Sequence, residues 1–264
     1  ASERLKIGTG IASIWARDAM TTAASLHALS EAWPGRFVLG LGVSHAPMVD
    51  GLRKQDYTKP FSKMRDYLAA MEEGLYLSPR VEDETVVLAA LGPKMLELAA
   101  SAADGAHPYF VPVEHTPFAR EHLGPDALLA PEQAAVLSTD ADEARAVARG
   151  HMATYLGLPN YTNNLRRLGW GDEDLEPPGS DKLVDAIVVW GDEQAVLVVE
   201  ADRDAIVFQF GVVFEVGARS ELTVARFPRL EVFEIEDVGE REHRTRVPEF
   251  PESRLRHSAD PLGR

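Results

Sequence analysis

The chain has 264 residues, 45% of them hydrophobic, and 27 Lys and Arg stand against 42 Asp and Glu for a formal charge of −15. That content suits one large domain or two modest ones, and so acidic a surface repels nucleic acid and anionic membranes, so neither is an expected partner. There is no cysteine, which excludes disulfides, thiolate catalysis and cysteine-ligated zinc.

No apolar stretch has the length of a membrane span and no secretory signal pattern is present, so a cytoplasmic enzyme acting on a small molecule is the expectation. Leu5 to Gly10 reads as a buried parallel strand ending in glycine. Ala19, Ala23, Leu26 and Trp33 fall at helical spacing, and Pro34-Gly35 stops that helix. Arg36 to Val43 is a second strand with glycines at positions 40 and 42, and Ser44 to Thr58 is a loop broken by Pro47 and Gly51. Pro60 opens a helix striped by Met64, Leu68, Met71 and Leu75. Val86 to Leu91 is strand, and Gly92-Pro93 leads into a helix striped by Met95, Leu98, Ala99 and Ala102.

A turn and strand follow over Asp104 to Val111, then a short helix from His115 to Leu123, then a strand within Leu128 to Leu137 interrupted near Pro131. Asp140 to Glu143 fits a helix start, continued by Ala144, Val147, Ala148, His151 and Tyr155. Leu165–Leu168 and Leu183–Trp190 read as helical. The alternation of strand and helix argues for an α/β fold with a parallel sheet, and periodicity does not distinguish an open sheet from a closed barrel. From about Val196 the texture changes to β-rich runs, Ala205 to Val216, Glu221 to Phe227 and Leu230 to Ile235. Residues 241–264 are charged, contain proline and are expected to be mobile. His27 and His151 lie on helix stripes and read as structural.

Leu5 to about Glu193 resembles the luciferase-like monooxygenase superfamily, and within it the deazaflavin-dependent (coenzyme F420) oxidoreductases. The resemblance is carried by Ile7-Gly-Thr-Gly-Ile-Ala-Ser13, Pro34 to His45, Ala89-Ala-Leu-Gly-Pro-Lys-Met95, Asp104-Gly-Ala-His107 and Tyr155-Leu-Gly-Leu-Pro-Asn-Tyr161. It implies a (β/α)8 TIM-type barrel with the cofactor at the C-terminal ends of the strands, in agreement with where the glycines fall. It also implies hydride transfer with coenzyme F420, or FMN-dependent monooxygenation on the same fold, and allows a homodimer.

Carried over by position, Gly10-Ile11 matches a non-prolyl cis peptide in a strand bulge that presses on the cofactor ring, with Ser13 nearby. Gly42, Ser44 and His45 match the loop lining the cofactor tail. Ala90, Leu91, Gly92 and Pro93 match a segment whose free amides at a helix start hold phosphate, with Lys94 as counter-charge. His107 and Tyr161 fall on the substrate side. Tyr155 to Arg167 matches an insertion that covers the site, and its plain reading is a surface helix.

The resemblance begins at the family's third barrel strand, so the expected barrel is incomplete, and no general acid or base is assigned. The β-rich segment 195–240 does not match the family pattern. A reading-frame change near Ala195 is the expectation for it, with a replacement domain as the alternative. The division is therefore a partial barrel over 1–194, a divergent segment over 195–240 and a tail over 241–264. An inactive fragment or binding protein is the non-enzymatic reading. Gly42-Val-Ser-His-Ala46 loosely resembles the serine-hydrolase elbow but has alanine where the last glycine belongs. His107, Glu114 and His115 do not have a zinc spacing.

Overall fold

The computed structural model describes residues 6–74, 76, 83–192 and 195, together with the backbone of 213–215. The first strand is split in two. β1 (Ile7–Gly8) and β2 (Ala12–Ser13) both pair in parallel with β3 (Phe37–Gly42). Gly8 stands opposite Val38 and Ala12 opposite Leu41, so four steps on one strand match three on the other. The extra residue makes a bulge of Thr9, Gly10 and Ile11, and the Gly10–Ile11 peptide is cis, as the resemblance implied.

Two contacts hold the bulge. The Thr9 hydroxyl donates to the Gly40 carbonyl at 2.7 Å and accepts the Gly40 N–H at 3.0 Å. A Cβ on Gly40 would lie 2.0 Å from the Thr9 carbonyl oxygen, and one on Gly42 would lie 2.5 Å from Ile11 Cδ1. Backbone bars any side chain at position 40, and a side chain at position 42 would displace Ile11, so these two glycines serve the packing of the bulge.

The sheet continues in parallel through β4 (Thr85–Leu88), β5 (Gly105–Ala106) and β6 (Leu128–Leu129), in the order β1-β3-β4-β5-β6. Helices α1 (Ala19–Ala32), α2 (Pro60–Glu72), α3 (Pro93–Ala102) and α4 (His115–Leu123) join successive strands. Asp18 caps α1 by accepting the Thr21 N–H at 2.8 Å, and Pro60 and Pro93 open α2 and α3 where a missing N–H costs nothing. The expected stripe is buried on α2 at Met64, Leu68 and Met71, while Leu75 lies outside the described residues. Leu41, Leu88, Met64, Leu96 and Leu129 form the center of this core. A π-helical turn at Pro47–Leu52, which the sequence did not signal, buries Val49.

A second parallel sheet has the order β8-β7-β9, from β7 (Ala134–Leu137), β8 (Val188–Gly191) and β9 (Val213–Glu215). It packs with α5 (Ala141–Leu156), α6 (Pro159–Arg167), α7 (Asp172–Leu175) and α8 (Asp181–Ile187) around Val136, Met152, Leu165, Leu183 and Val184. Asp140 caps α5, accepting the Glu143 N–H at 3.0 Å. The result is an α/β fold with a curled parallel sheet, a half-barrel.

Several sequence expectations are corrected. Val188–Trp190 is strand, not the end of a helix: α8 stops at Ile187, and extended Val188 pairs with Ala134, as suits its β-branched side chain. Leu128–Leu137 is two strands in two sheets, parted at Pro131. Tyr155–Arg167 is not a surface helix, because α6 buries Tyr161, Thr162, Asn164 and Leu165. Of the β-rich segment and the tail only Ala195 and Val213–Glu215 are described, so their expected boundaries, origin and mobility lie outside the described residues. None of the described helices is long and apolar enough to cross a membrane.

Candidate functional site

A cavity of about 430 Å³ opens where the parallel strands end. Gly10 and Ile11 of the bulge line it on one side. Gly42 to His45 enter from the end of β3, Ala89 to Leu91 from the end of β4, and His107 and Tyr109 from the end of β5. Glu132 comes from the loop after β6, Tyr155 from the last turn of α5, and Asn160 and Tyr161 from the first turn of α6. Strand ends are where a parallel sheet delivers side chains to one place. A larger groove of about 580 Å³ is lined by Trp15, Lys63 and Tyr67 among others, and Trp15, just past β2, donates its indole N–H to the Val43 carbonyl at 2.8 Å.

Of the residues singled out in the sequence, Gly10, Ile11, Gly42, Ser44, His45, Ala90, Leu91, His107 and Tyr161 converge on this cavity. Ser13, Gly92, Pro93 and Lys94 are not on its wall. Ser13 pairs with Gly42, and its hydroxyl accepts the Trp15 N–H at 3.3 Å. Lys94 is exposed on α3. The cation beside Gly92 is Arg167 instead: its guanidinium lies 3.7 Å from the position a Cβ would take on Gly92, and it donates to Asn164 Oδ1 at 2.8 Å. Pro93 has no N–H, and the Met95 and Leu96 N–H groups donate to the Gly92 carbonyl at 3.1 Å, so the Lys94 amide and the Arg167 guanidinium are what this helix start presents next to Leu91.

Two histidines face the cavity, and burial lowers the pKa of both. His107 Nδ1 lies 2.5 Å from the Ala130 carbonyl and so carries the proton it donates there. Its Nε2 is then the atom turned to the bulge, 3.4 Å from the Cβ position of Gly10. His45 Nε2 lies 3.3 Å from the Tyr161 hydroxyl. Tyr109, Tyr155 and Tyr161 make a wall of rings with centroids 4.9–5.9 Å apart. Phe110 adopts a left-handed backbone (φ 56°), rare for so bulky a residue, and it sends Phe110 into the core while Tyr109 lines the cavity. Burial raises the pKa of Tyr109 and Tyr161 well above the phenol range. Burial also raises Glu132 to about 7.

Sequence reasoning missed Glu132 and Tyr109 as site residues, while Tyr155 falls in the segment expected to cover the site. The available signal for Glu132 was its place just past the end of an apolar strand, Leu128-Leu-Ala-Pro131. The elbow reading of Ser44 fails on context. Ser44 does have a left-handed backbone (φ 57°), but His45 turns Nε2 to Tyr161, and Pro47 begins a π turn where an elbow needs an α-helix. Among the described residues no group of three or more His, Asp or Glu is placed to hold a metal ion.

The model of the luciferase-like monooxygenase family matches residues 1–203. The chain belongs to the luciferase-like monooxygenase family. It is 29% identical over 118 residues to 5,10-methylenetetrahydromethanopterin reductase of Methanolobus tindarius, covering 38% of this chain and 36% of that protein. Its fold is similar to the coenzyme F420-dependent tetrahydromethanopterin reductase of Methanopyrus kandleri (TM-score 0.50, 16% identity, 79% of this chain and 77% of that one). It is also similar to an F420-dependent secondary alcohol dehydrogenase in complex with an F420–acetone adduct (TM-score 0.57, 13% identity, 80% and 73%). The chain spans from about a third to about three fifths of the length of the curated relatives it matches.

Proposed function

We propose that this luciferase-like family member binds coenzyme F420 at the bulge and transfers hydride between the deazaflavin and a small organic substrate. The observation that carries the reading is the cavity itself: a bulged strand on one side, tyrosine rings on the other and neutral histidines at its edge. Such walls fit a flat heterocycle, which needs apolar faces and a few placed polar groups. The start of α3 with Arg167 fits a phosphate. A relative and solved structures named as F420-dependent add support at the level of the family.

In this reading Gly10 and Ile11 back the ring, the loop from Gly42 to His45 lines the cofactor along its length, and Ala90 and Leu91 lead to the phosphate. Gly92 and Arg167 hold that phosphate, with Lys94 and Ser13 in supporting places outside the cavity. When bound, the cofactor supplies or accepts a hydride, and the protein supplies orientation and electrostatics. Tyr109, Tyr155 and Tyr161 exclude water from the reacting face. His107, fixed as the Nδ1–H tautomer by Ala130, offers Nε2 as an acceptor at the bulge.

The test is stopped-flow mixing of the protein and reduced F420 with a panel of small ketones, aldehydes and enones. Return of the oxidised deazaflavin absorbance with at least one acceptor is expected. Reduced F420 that persists with every acceptor, while reduced FMN and oxygen give turnover, would replace this reading by monooxygenation.

A further inference from the structure

We propose that the carboxyl group of Glu132 is the proton donor and acceptor of this site, serving a small, uncharged ketone or aldehyde and the corresponding alcohol. The inference rests on the F420 reading above and names the substrate class it would take. Among the described residues Glu132 is the one carboxylate on the cavity wall, and no lysine or arginine shares that wall. A carboxylate with no cation beside it is not held ionised by its surroundings. Among the described residues the wall around Glu132 offers a phosphorylated or carboxylated substrate no cation, Arg167 lying off that wall beside Gly92, so an uncharged substrate is the class proposed.

The backbone holds Glu132 in place. Its N–H donates to the Pro108 carbonyl at 2.9 Å, tying the loop after β6 to the segment between His107 and Tyr109. The other titratable groups facing the cavity are His45, His107, Tyr109, Tyr155 and Tyr161. Tyr109 and Tyr161 are held protonated by burial, and both histidines are pushed toward the neutral form. Glu132, raised to about 7, populates both its forms near neutrality, which is the condition for efficient general acid–base work.

When bound, the reduced deazaflavin would supply the hydride for a new C–H bond at the carbonyl carbon and would shed its ring N–H proton to solvent. The π pair of the carbonyl moves to oxygen, which takes the Glu132 proton to give the alcohol, and the carboxylate regains a proton from solvent, so that no net proton is consumed. Alcohol oxidation is the reverse and needs Glu132 ionised.

The experiment compares the wild-type chain with E132Q and E132D, using butan-2-one as acceptor and F420 as hydride donor. The wild type is expected to lose kcat for reduction as pH rises through about 7, and E132Q to lose about 10²–10⁴-fold in kcat together with that break. E132D, which keeps a carboxyl, regains part of the rate and the break. The F420 Kd, read by fluorescence, stays within about threefold in both variants, as expected for a group that acts on substrate. A second readout needs no turnover: the infrared difference spectrum between acid and alkaline pH shows a protonated-carboxyl band with a midpoint near 7, absent from E132Q. Full turnover by E132Q with an unchanged pH profile, or a wild-type spectrum without that band, overturns the inference alone. Failure of the wild type to bind F420 overturns the reading on which it rests, and the inference with it.

Discussion

The hydroxyl of Tyr161 lies 3.3 Å from Nε2 of His45, joining the first turn of α6 to the loop after β3 across 116 positions of sequence. The rings also pack at 5.4 Å between centroids. This contact ties the helix over the cavity to the strand end that lines it. Tyr161→Phe keeps the ring packing and removes only the bond. It is expected to cost about 0.5–1.5 kcal/mol of stability in urea denaturation, the net worth of one hydrogen bond, and to weaken F420 binding several-fold. Unchanged binding would show that the tie does not shape the site.

Gly42 leaves the space that Ile11 fills, with Cδ1 2.5 Å and Cγ1 2.7 Å from where a Cβ would sit. Gly42→Ala is therefore expected to cost about 1–3 kcal/mol by overpacking. It pushes Ile11 off its place on the cavity wall, so F420 affinity is expected to fall at least tenfold. Equilibrium denaturation and a fluorescence titration separate the two effects.

Burial without a cation raises Glu132 from an ordinary carboxyl value of 4.5 to about 7. The folded chain then binds a proton that the unfolded chain has released over that interval. Its contribution is present below pH 4.5 and is lost as pH rises to about 7. Glu132→Gln, neutral throughout, is expected to melt at the same temperature as the wild type near pH 4.5 and at a higher temperature at pH 8. Calorimetric scans across that range check the sign.

His115 gives the opposite dependence. It is 1% exposed, its Nε2 has no hydrogen-bond partner, and burial together with nearby Arg167 lowers it from 6.5 to about 4. The unfolded chain takes up this proton first, so stability present above pH 6.5 is lost as pH falls toward 4. His115→Gln is expected to shrink the drop in melting temperature between pH 7 and pH 4.5 relative to the wild type. An equal drop in both would place the acid sensitivity elsewhere.

Much of the site was legible because each part is local to a strand end. The glycines at positions 10, 40 and 42 follow continuous apolar runs, and His107 and Tyr161 sit in short, recognizable segments. The Ala89–Leu91 wall was legible for the same reason. Glu132 and Tyr109 were not, because they come from two different segments and acquire meaning only where those segments meet. The exchange of Lys94 for Arg167 beside Gly92 has the same origin: a neighbor from α6 is invisible to spacing along α3. In the fold, Val188–Trp190 was misread because a short run of valines after a helix suits either state until Ala134 and Val136 pair with it.

In the proposed function the bulge and the tyrosine wall hold a deazaflavin. An equilibrium titration of the protein with oxidised F420, followed by the cofactor's fluorescence with FMN as a parallel ligand, tests it most directly. Saturable one-to-one binding of F420 with a Kd on the order of 1–10 μM, weakened at least tenfold by Gly42→Ala, is expected. Absence of binding by both F420 and FMN up to about 1 mM, from a chain whose far-ultraviolet spectrum is that of an α/β fold, would contradict it.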